Sequence, residues 1–389
     1  MPAWSDSVPG STRWLPGALT SLLSMFPDFD YAARLDRARM LMTERGIDVL
    51  MLSVGADLPY FSGYEAMPLE RLTMLVVPRD GSATMVVPRL EAPRVQLRGD
   101  AFVVRAWDET EDPIEIAANL VGTRSTAALG DPTWSVFLLG LQQRLAHTSF
   151  VSATGLTREL RMRKEPEEVR WLRAAAEATD RVVARLDGQR FSGRTERELS
   201  RLVADMTLEE GHDLASFGIV ASGPNAASPH HEAGDRVIGV GETIVVDFGG
   251  RLRGYCSDTT RTFHTGTPSG PVADAFSVLE AAQAAARSAV APGVSAEDVD
   301  RAARSVIADA GYGDRFIHRT GHGIGLEVHE HPYVVEGNRL PLEPGMAFSI
   351  EPGIYEPGSF GMRIEDIVVC GDAGVDELNR SPRRLHLVD

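Results

Sequence analysis

Cysteine is nearly absent from this 389-residue chain. Two residues, Cys256 and Cys370, cannot build a disulfide framework, so a reducing compartment, the cytoplasm, is expected. No apolar run reaches the roughly 20 residues that cross a bilayer, which leaves no transmembrane helix and no membrane partner to expect. Positive charge is in deficit. Lys and Arg number 39 against 55 Asp and Glu, a formal net charge of −16, and this argues against a nucleic-acid partner. A tandem repeat is lacking too, so the length reads as two or three unlike domains with room for a large core.

Residues 1–27 stand apart. Leu15 to Phe26 is apolar, but the segment before it carries one Arg and one Asp, and no small-x-small cleavage site follows. This reads as an N-terminal arm of open role that docks on the fold or on a second copy, which favours a homodimer. Residues 28–160 read as an α/β domain. Asp30 to Arg45 has helical spacing, and the apolar runs at 48–53, 72–78 and 83–88 suit buried strands, the last two joined by an Asp80-Gly81 turn. From Leu160 the texture becomes charged. Pro166 marks the start of a long helix reaching about Asp187, within a second domain over 161–389. Thr195 with Glu198, and Ser295 with Asp298, read as capping boxes that open two amphipathic helices.

Against this background five residues stand out: Asp247, Asp258, His322, Glu351 and Glu365. Asp247 ends the run Thr243-Ile-Val-Val, Glu351 follows Met346-Ala-Phe-Ser-Ile, and Glu365 follows Gly361-Met-Arg-Ile. A carboxylate at the end of a buried strand needs a cation or a proton. Hard oxygen donors with one imidazole suit two clustered divalent ions, the arrangement of a two-metal hydrolase. Spacing predicts two hairpins. One centres between Leu252 and Arg253 and opposes Asp247 to Asp258, about 5 Å apart at Cβ. The other centres on Gly358 and opposes Glu351 to Glu365. Gly321 and Gly323 let the backbone approach closely around His322, and they argue against a helical zinc pair with His318. No H-E-x-x-H is present.

His230 and His329 read as site residues able to move protons or stabilise an oxyanion. His231, His318 and His331 stay open between a site role and plain packing. Arg363, two residues before Glu365, faces the same side of a strand. It either neutralises acids, holds a substrate carboxylate or forms a supporting salt bridge. Cys256 reads as a packed core thiol, since oxygen-rich neighbours disfavour a zinc thiolate.

These motifs resemble the proline-specific metallopeptidases of the pita-bread fold, the Xaa-Pro dipeptidases (prolidases) and aminopeptidase P. The resemblance covers 28–389 and rests on Val-Val-Asp247-Phe-Gly, Gly-Tyr-Cys-Ser-Asp258-Thr-Thr-Arg-Thr, Gly-His322-Gly-Ile-Gly-Leu-Glu-Val-His329-Glu, Ser-Ile-Glu351-Pro-Gly-Ile-Tyr and Arg363-Ile-Glu365-Asp. It implies an α+β protein: a creatinase-like α/β N-terminal domain, then a pseudo-two-fold antiparallel sheet covered by helices. It further implies two divalent ions, manganese first, with cobalt and zinc as alternatives. Asp247 would hold one ion, Asp258 and Glu365 would bridge both, and His322 and Glu351 would complete the other. Glu351 would take the proton of the attacking water, and His230, His329 and Arg363 would meet the substrate, a small peptide with proline second. The activity expected is that of an Xaa-Pro dipeptidase. Aminopeptidase P, acting on longer peptides, and a creatinase-like amide hydrolase are the alternatives.

Overall fold

The structure, a computed structural model, describes residues 26–389. The arm expected over 1–27 lies outside the described residues except for its last two. One of these, Phe26, is buried against Gly254.

The chain opens with α1 (Tyr31–Arg45), which Asp30 caps by accepting the Ala33 N–H. There follow β1 (Val49–Leu52), α2 (Asp57–Ser62), β2 (Met74–Pro78), β3 (Ala83–Pro88), β4 (Phe102–Trp107), α3 (Pro113–Val121), β5 (Thr126–Leu129), α4 (Ser135–Arg144), β6 (Ser149–Ser152) and α5 (Thr154–Met162). Six strands form one mixed sheet in the order β4-β3-β2-β1-β5-β6. Strand β1 is buried on both faces because helices cover both. Leu50 and Leu52 pack with Leu35, Ala38 and Met42 of α1, while Val49 and Met51 pack with α3 and α4.

The second half repeats one plan twice. The first copy is α6 (Pro166–Leu186), α7 (Glu196–Glu209), β7 (Leu214–Ser222), β8 (Thr243–Leu252), β9 (Tyr255–Cys256) and β10 (Thr259–Thr265). The second is α8 (Gly270–Ala289), α9 (Ala296–Asp309), β11 (Gly321–Gly323), β12 (Glu330–Val334), β13 (Ala347–Ile350), β14 (Gly353–Glu356), β15 (Phe360–Arg363), β16 (Asp366–Gly371) and β17 (Gly374–Glu377); β18 (His386–Val388) returns to pair with β10. Each helix pair covers one sheet, α6 and α7 the sheet β18-β10-β8-β7, α8 and α9 the sheet β12-β11-β13-β16-β17. The isolated bridge between Thr260 and Glu365 links the two sheets. The full reciprocal box forms at Thr195 and Glu198; at Ser295 the Asp298 carboxylate binds the serine hydroxyl instead.

A continuous core joins the halves, with Tyr255, Ile324, Ala347 and Ile367 packed among residues of the N-terminal sheet. Charge crosses the same boundary. Arg34, 1% exposed, donates to Glu165 and to the Tyr60 carbonyl, and Arg161 pairs with Asp57, Glu327 and Glu330. Among the described residues no helix is long and apolar enough to cross a membrane.

One expected register is corrected. Asp247 stands opposite Thr260, not Asp258. The turn lies at Arg253-Gly254, one residue later than expected, with φ of 54° and 85°. Two consecutive left-handed residues make the two-residue turn that fits the strand twist. The partner shifts by two residues, so Asp258 keeps the face it was expected to share with Asp247. The second hairpin holds the expected register, since Ile350↔Asp366 and Gly353↔Arg363 frame Glu351 and Glu365.

Candidate metal centre

Side-chain alternation aims the acids. On β8, Ile244, Val246 and Phe248 pack beneath α6 and α7, so Asp247 turns to the opposite face. In the second copy Phe348, Ile350, Met362 and Ile364 enter the core under α8 and α9. Ser349, Glu351, Arg363 and Glu365 then face away from those helices, toward the seam between the sheets. Gly321 is required where His322 enters this seam, because a Cβ there would collide with the Ser349 carbonyl.

The five residues converge. One ligand atom each from His322, Glu351 and Glu365 lie within 4.8 Å of one another, and so do one each from Asp247, Asp258 and Glu365. Glu365 belongs to both groups. His322 Nε2 is 3.2 Å from Glu351 Oε1, 3.5 Å from Asp258 Oδ2 and 4.0 Å from Glu365 Oε1. Asp247 Oδ1, Asp258 Oδ1 and Glu365 Oε1 are buried without any hydrogen-bond partner. Burial, then the neighbouring acids, pushes Asp258 and Glu365 well above the usual carboxylate range, and burial pushes Glu351 up to about 7. Four carboxylates crowded into one seam are mutually repulsive. Orphaned hard oxygens with one imidazole are a donor set that fits two divalent cations.

The imidazole is prepared for such a role. Burial lowers His322 to about 3, so it is neutral. Its Nδ1 lies 3.1 Å from the Gly323 carbonyl, which only accepts, so Nδ1 carries the proton and Nε2 presents its lone pair to the acids. Ser349 accepts the His322 N–H and donates to Glu351, at 3.0 and 3.1 Å. Thr260 donates to Glu365 at 2.7 Å. Sequence reasoning missed both hydroxyls, although Ser349, two before Glu351 on a strand, was within reach of it.

Arg363, 3% exposed, is committed inside the wall. It donates to Asp247, to the Tyr355 hydroxyl (3.0 Å) and to Thr260 (3.0 Å). His318 gives its Nδ1 proton to the Arg319 carbonyl (2.7 Å) and accepts the Tyr355 hydroxyl at Nε2 (2.9 Å), which uses both nitrogens. Burial holds it at about 4. His231 is engaged by Glu196, a fully buried carboxylate, at 2.8 Å. His331 packs on the Tyr333 ring. His329 and His230 are exposed. The His329 ring lies 4.1 Å from that of His322, and His230 is near enough for its charge to depress both His318 and His329. Cys256 is buried in the core, its thiol pushed up to about 12 by burial.

Residues 170–372 match the model of metallopeptidase family M24, and residues 34–163 match that of the creatinase/prolidase N-terminal domain. The chain belongs to metallopeptidase family M24. Among solved structures it resembles dipeptidase PepE from Mycobacterium ulcerans, at 45% identity and a TM-score of 0.86 over 93% of this chain and 100% of that one. The prolidase from Thermococcus sibiricus aligns with a TM-score of 0.87 at 35% identity, covering 93% and 100%. The Xaa-Pro dipeptidase of Lactobacillus helveticus is 36% identical over 91% of this chain and 98% of its own. This M24 chain therefore has the creatinase-like N-terminal domain and pita-bread catalytic domain that its motifs resemble.

Proposed function

We propose that this chain is an Xaa-Pro dipeptidase that works with two divalent ions, manganese in the first instance, held by Asp247, Asp258, His322, Glu351 and Glu365. The observation that carries the reading is the set of three buried carboxylate oxygens left without partners on one seam, beside a neutral imidazole. The dipeptidase names of its relatives agree with it.

Such ions, when bound, supply Lewis acidity and a water of lowered pKa. The protein's own groups do the rest. Glu351, oriented by Ser349, accepts the proton of the attacking water. His329 donates to the oxyanion that forms on the scissile carbonyl, and His230 returns a proton to the departing proline nitrogen. Arg363 holds Asp247 in place by a direct ion pair. An Xaa-Pro bond offers no N–H, so a site without an acceptor at that point loses nothing with proline and does with other residues.

We place the enzyme in the cytoplasm as a homodimer. The test is a peptide panel on metal-depleted protein reconstituted with manganese. Release of proline from Leu-Pro is expected, abolished by chelation. Cleavage of longer Xaa-Pro-Pro peptides alone would mean an aminopeptidase, and turnover that survives complete chelation would overturn the metal assignment. Sedimentation analysis tests the dimer.

A further inference from the structure

His329 is the last residue of the loop between β11 and β12 and is exposed, its ring 4.1 Å from that of His322. Among the described residues its ring makes no hydrogen bond. A group that meets a reacting carbonyl must be held closely, since small misplacements are costly in rate. The ring does not hold itself, so its placement comes from the chain on either side.

The next residue supplies an anchor. Glu330 opens β12, is 7% exposed, and has both carboxylate oxygens taken. Lys164 donates to Oε1 and Arg161 to Oε2. Both cations are buried and belong to the segment that joins the two halves. Arg161 reaches further, to Glu327 at 2.7 Å and to Asp57 of the N-terminal half at 2.8 Å. One guanidinium therefore grips carboxylates on both sides of His329. Beyond this clamp β12 is held again at Tyr333, which stands opposite His322 and carries the Arg319 guanidinium 4.5 Å from its ring centroid. A cavity of about 220 Å³ between the halves is lined by His329 and by Asp57, Arg161, Glu327 and Glu330, so clamp and histidine border one opening. Taking Arg161, Lys164 and Glu330 out of water costs much of what their pairing returns. Fully satisfied, such a network gives rigidity more than net stability.

We infer that Glu330 is a positioning residue: gripped by Arg161 and Lys164, it sets His329 at the seam, and Asp57 brings the N-terminal half into the same clamp. The inference rests on the role given to His329 above.

The experiment measures Leu-Pro turnover by manganese-loaded parent, Glu330→Gln, Asp57→Asn, His329→Ala and the two double variants with His329→Ala. Glu330→Gln keeps the shape but turns an NH2 group toward a cation that needs an acceptor. Its kcat should fall about 10- to 100-fold with KM within about twofold of the parent and metal content kept. Asp57→Asn loosens only the outer end of the clamp, where the aspartate side chain is 13% exposed, and should lower kcat by about 3- to 10-fold. Added to His329→Ala, either change should cost less than about twofold more, because both act through that ring. A clamp that serves the fold alone would lower the melting temperature and leave kcat at the parent's value. That outcome, or losses that multiply fully in the double variants, overturns the inference. Should Glu330→Gln fail to fold, Asp57→Asn carries the same test. If His329→Ala keeps the parent's kcat, the role given to His329 fails by itself, and a parent that cleaves no Xaa-Pro dipeptide fails the dipeptidase reading by itself. Crystal structures of manganese-loaded parent and Asp57→Asn then decide the positioning: a His329 ring displaced from His322 in the variant upholds it, and an unmoved ring overturns it.

Discussion

Arg363 and Asp247 form an ion pair inside the wall of the acid-lined seam, the arginine 3% and the aspartate 6% exposed. Removing one partner of such a pair leaves an uncompensated charge. Arg363→Met is expected to destabilise the metal-depleted protein by about 3–5 kcal/mol, read from urea unfolding. Arg363→Lys should restore little, because a point charge cannot serve Asp247, Tyr355 and Thr260 together. Unfolding midpoints equal to the parent would remove this pair from the account.

Chelation should change how stability depends on pH. Glu351 is raised from 4.5 to about 7, and burial, then the neighbouring acids, raises Asp258 and Glu365 well above the usual carboxylate range. Between the unfolded and folded values the native state binds more protons than the unfolded one, so stability falls as pH rises. Above about pH 6.5 the depressed histidines are neutral in both states and add no opposing slope. Metal-depleted protein should therefore melt at a higher temperature at pH 7 than at pH 9. Restoring manganese should flatten or reverse the trend. A depleted protein more stable at pH 9 would contradict the picture of crowded buried acids.

Glu196 gathers the loop that carries His230. Its buried carboxylate accepts the Ser222 N–H and hydroxyl, the Asn225 amide, His231 and the Gly234 N–H, at 2.8 to 3.3 Å. Glu196→Gln should lower kcat about 10- to 100-fold through misplacement, with metal content kept. In a His230→Ala background the same change should add little, since the two act through one group. Fully additive losses would show that Glu196 does not act through His230.

Arg261 and Asp366 are both completely buried, 2.7 Å apart, and tie β10 to β16 across the two sheets. Arg261→Met is expected to cost about 3–5 kcal/mol in urea unfolding. A cost under about 1 kcal/mol would mean that Arg383 and Gln283, which also bond Asp366, suffice to satisfy it.

The legible parts were those with local causes. The Glu351–Glu365 register could be read because Pro357-Gly358-Ser359 announces its turn. The Asp247 register was misjudged by two residues because Arg253 takes a left-handed conformation that its side chain does not advertise. Gly254 beside it is fixed by long-range packing, since a Cβ there would run into Phe26. His231 and His318 could not be told from free site histidines, because their partners Glu196 and Tyr355 lie 35 and 37 residues away.

By itself the sequence determined which side chains face the seam. Strand periodicity is local chemistry, and an acid placed between buried apolar neighbours has to face the other way. The tertiary structure decided which charges were already taken. Arg363 and Arg319 are alike in sequence terms, and folding ties one to Asp247 while leaving the other on a tyrosine ring. Ion pairing depends on distances between residues far apart in the chain, which no local pattern encodes.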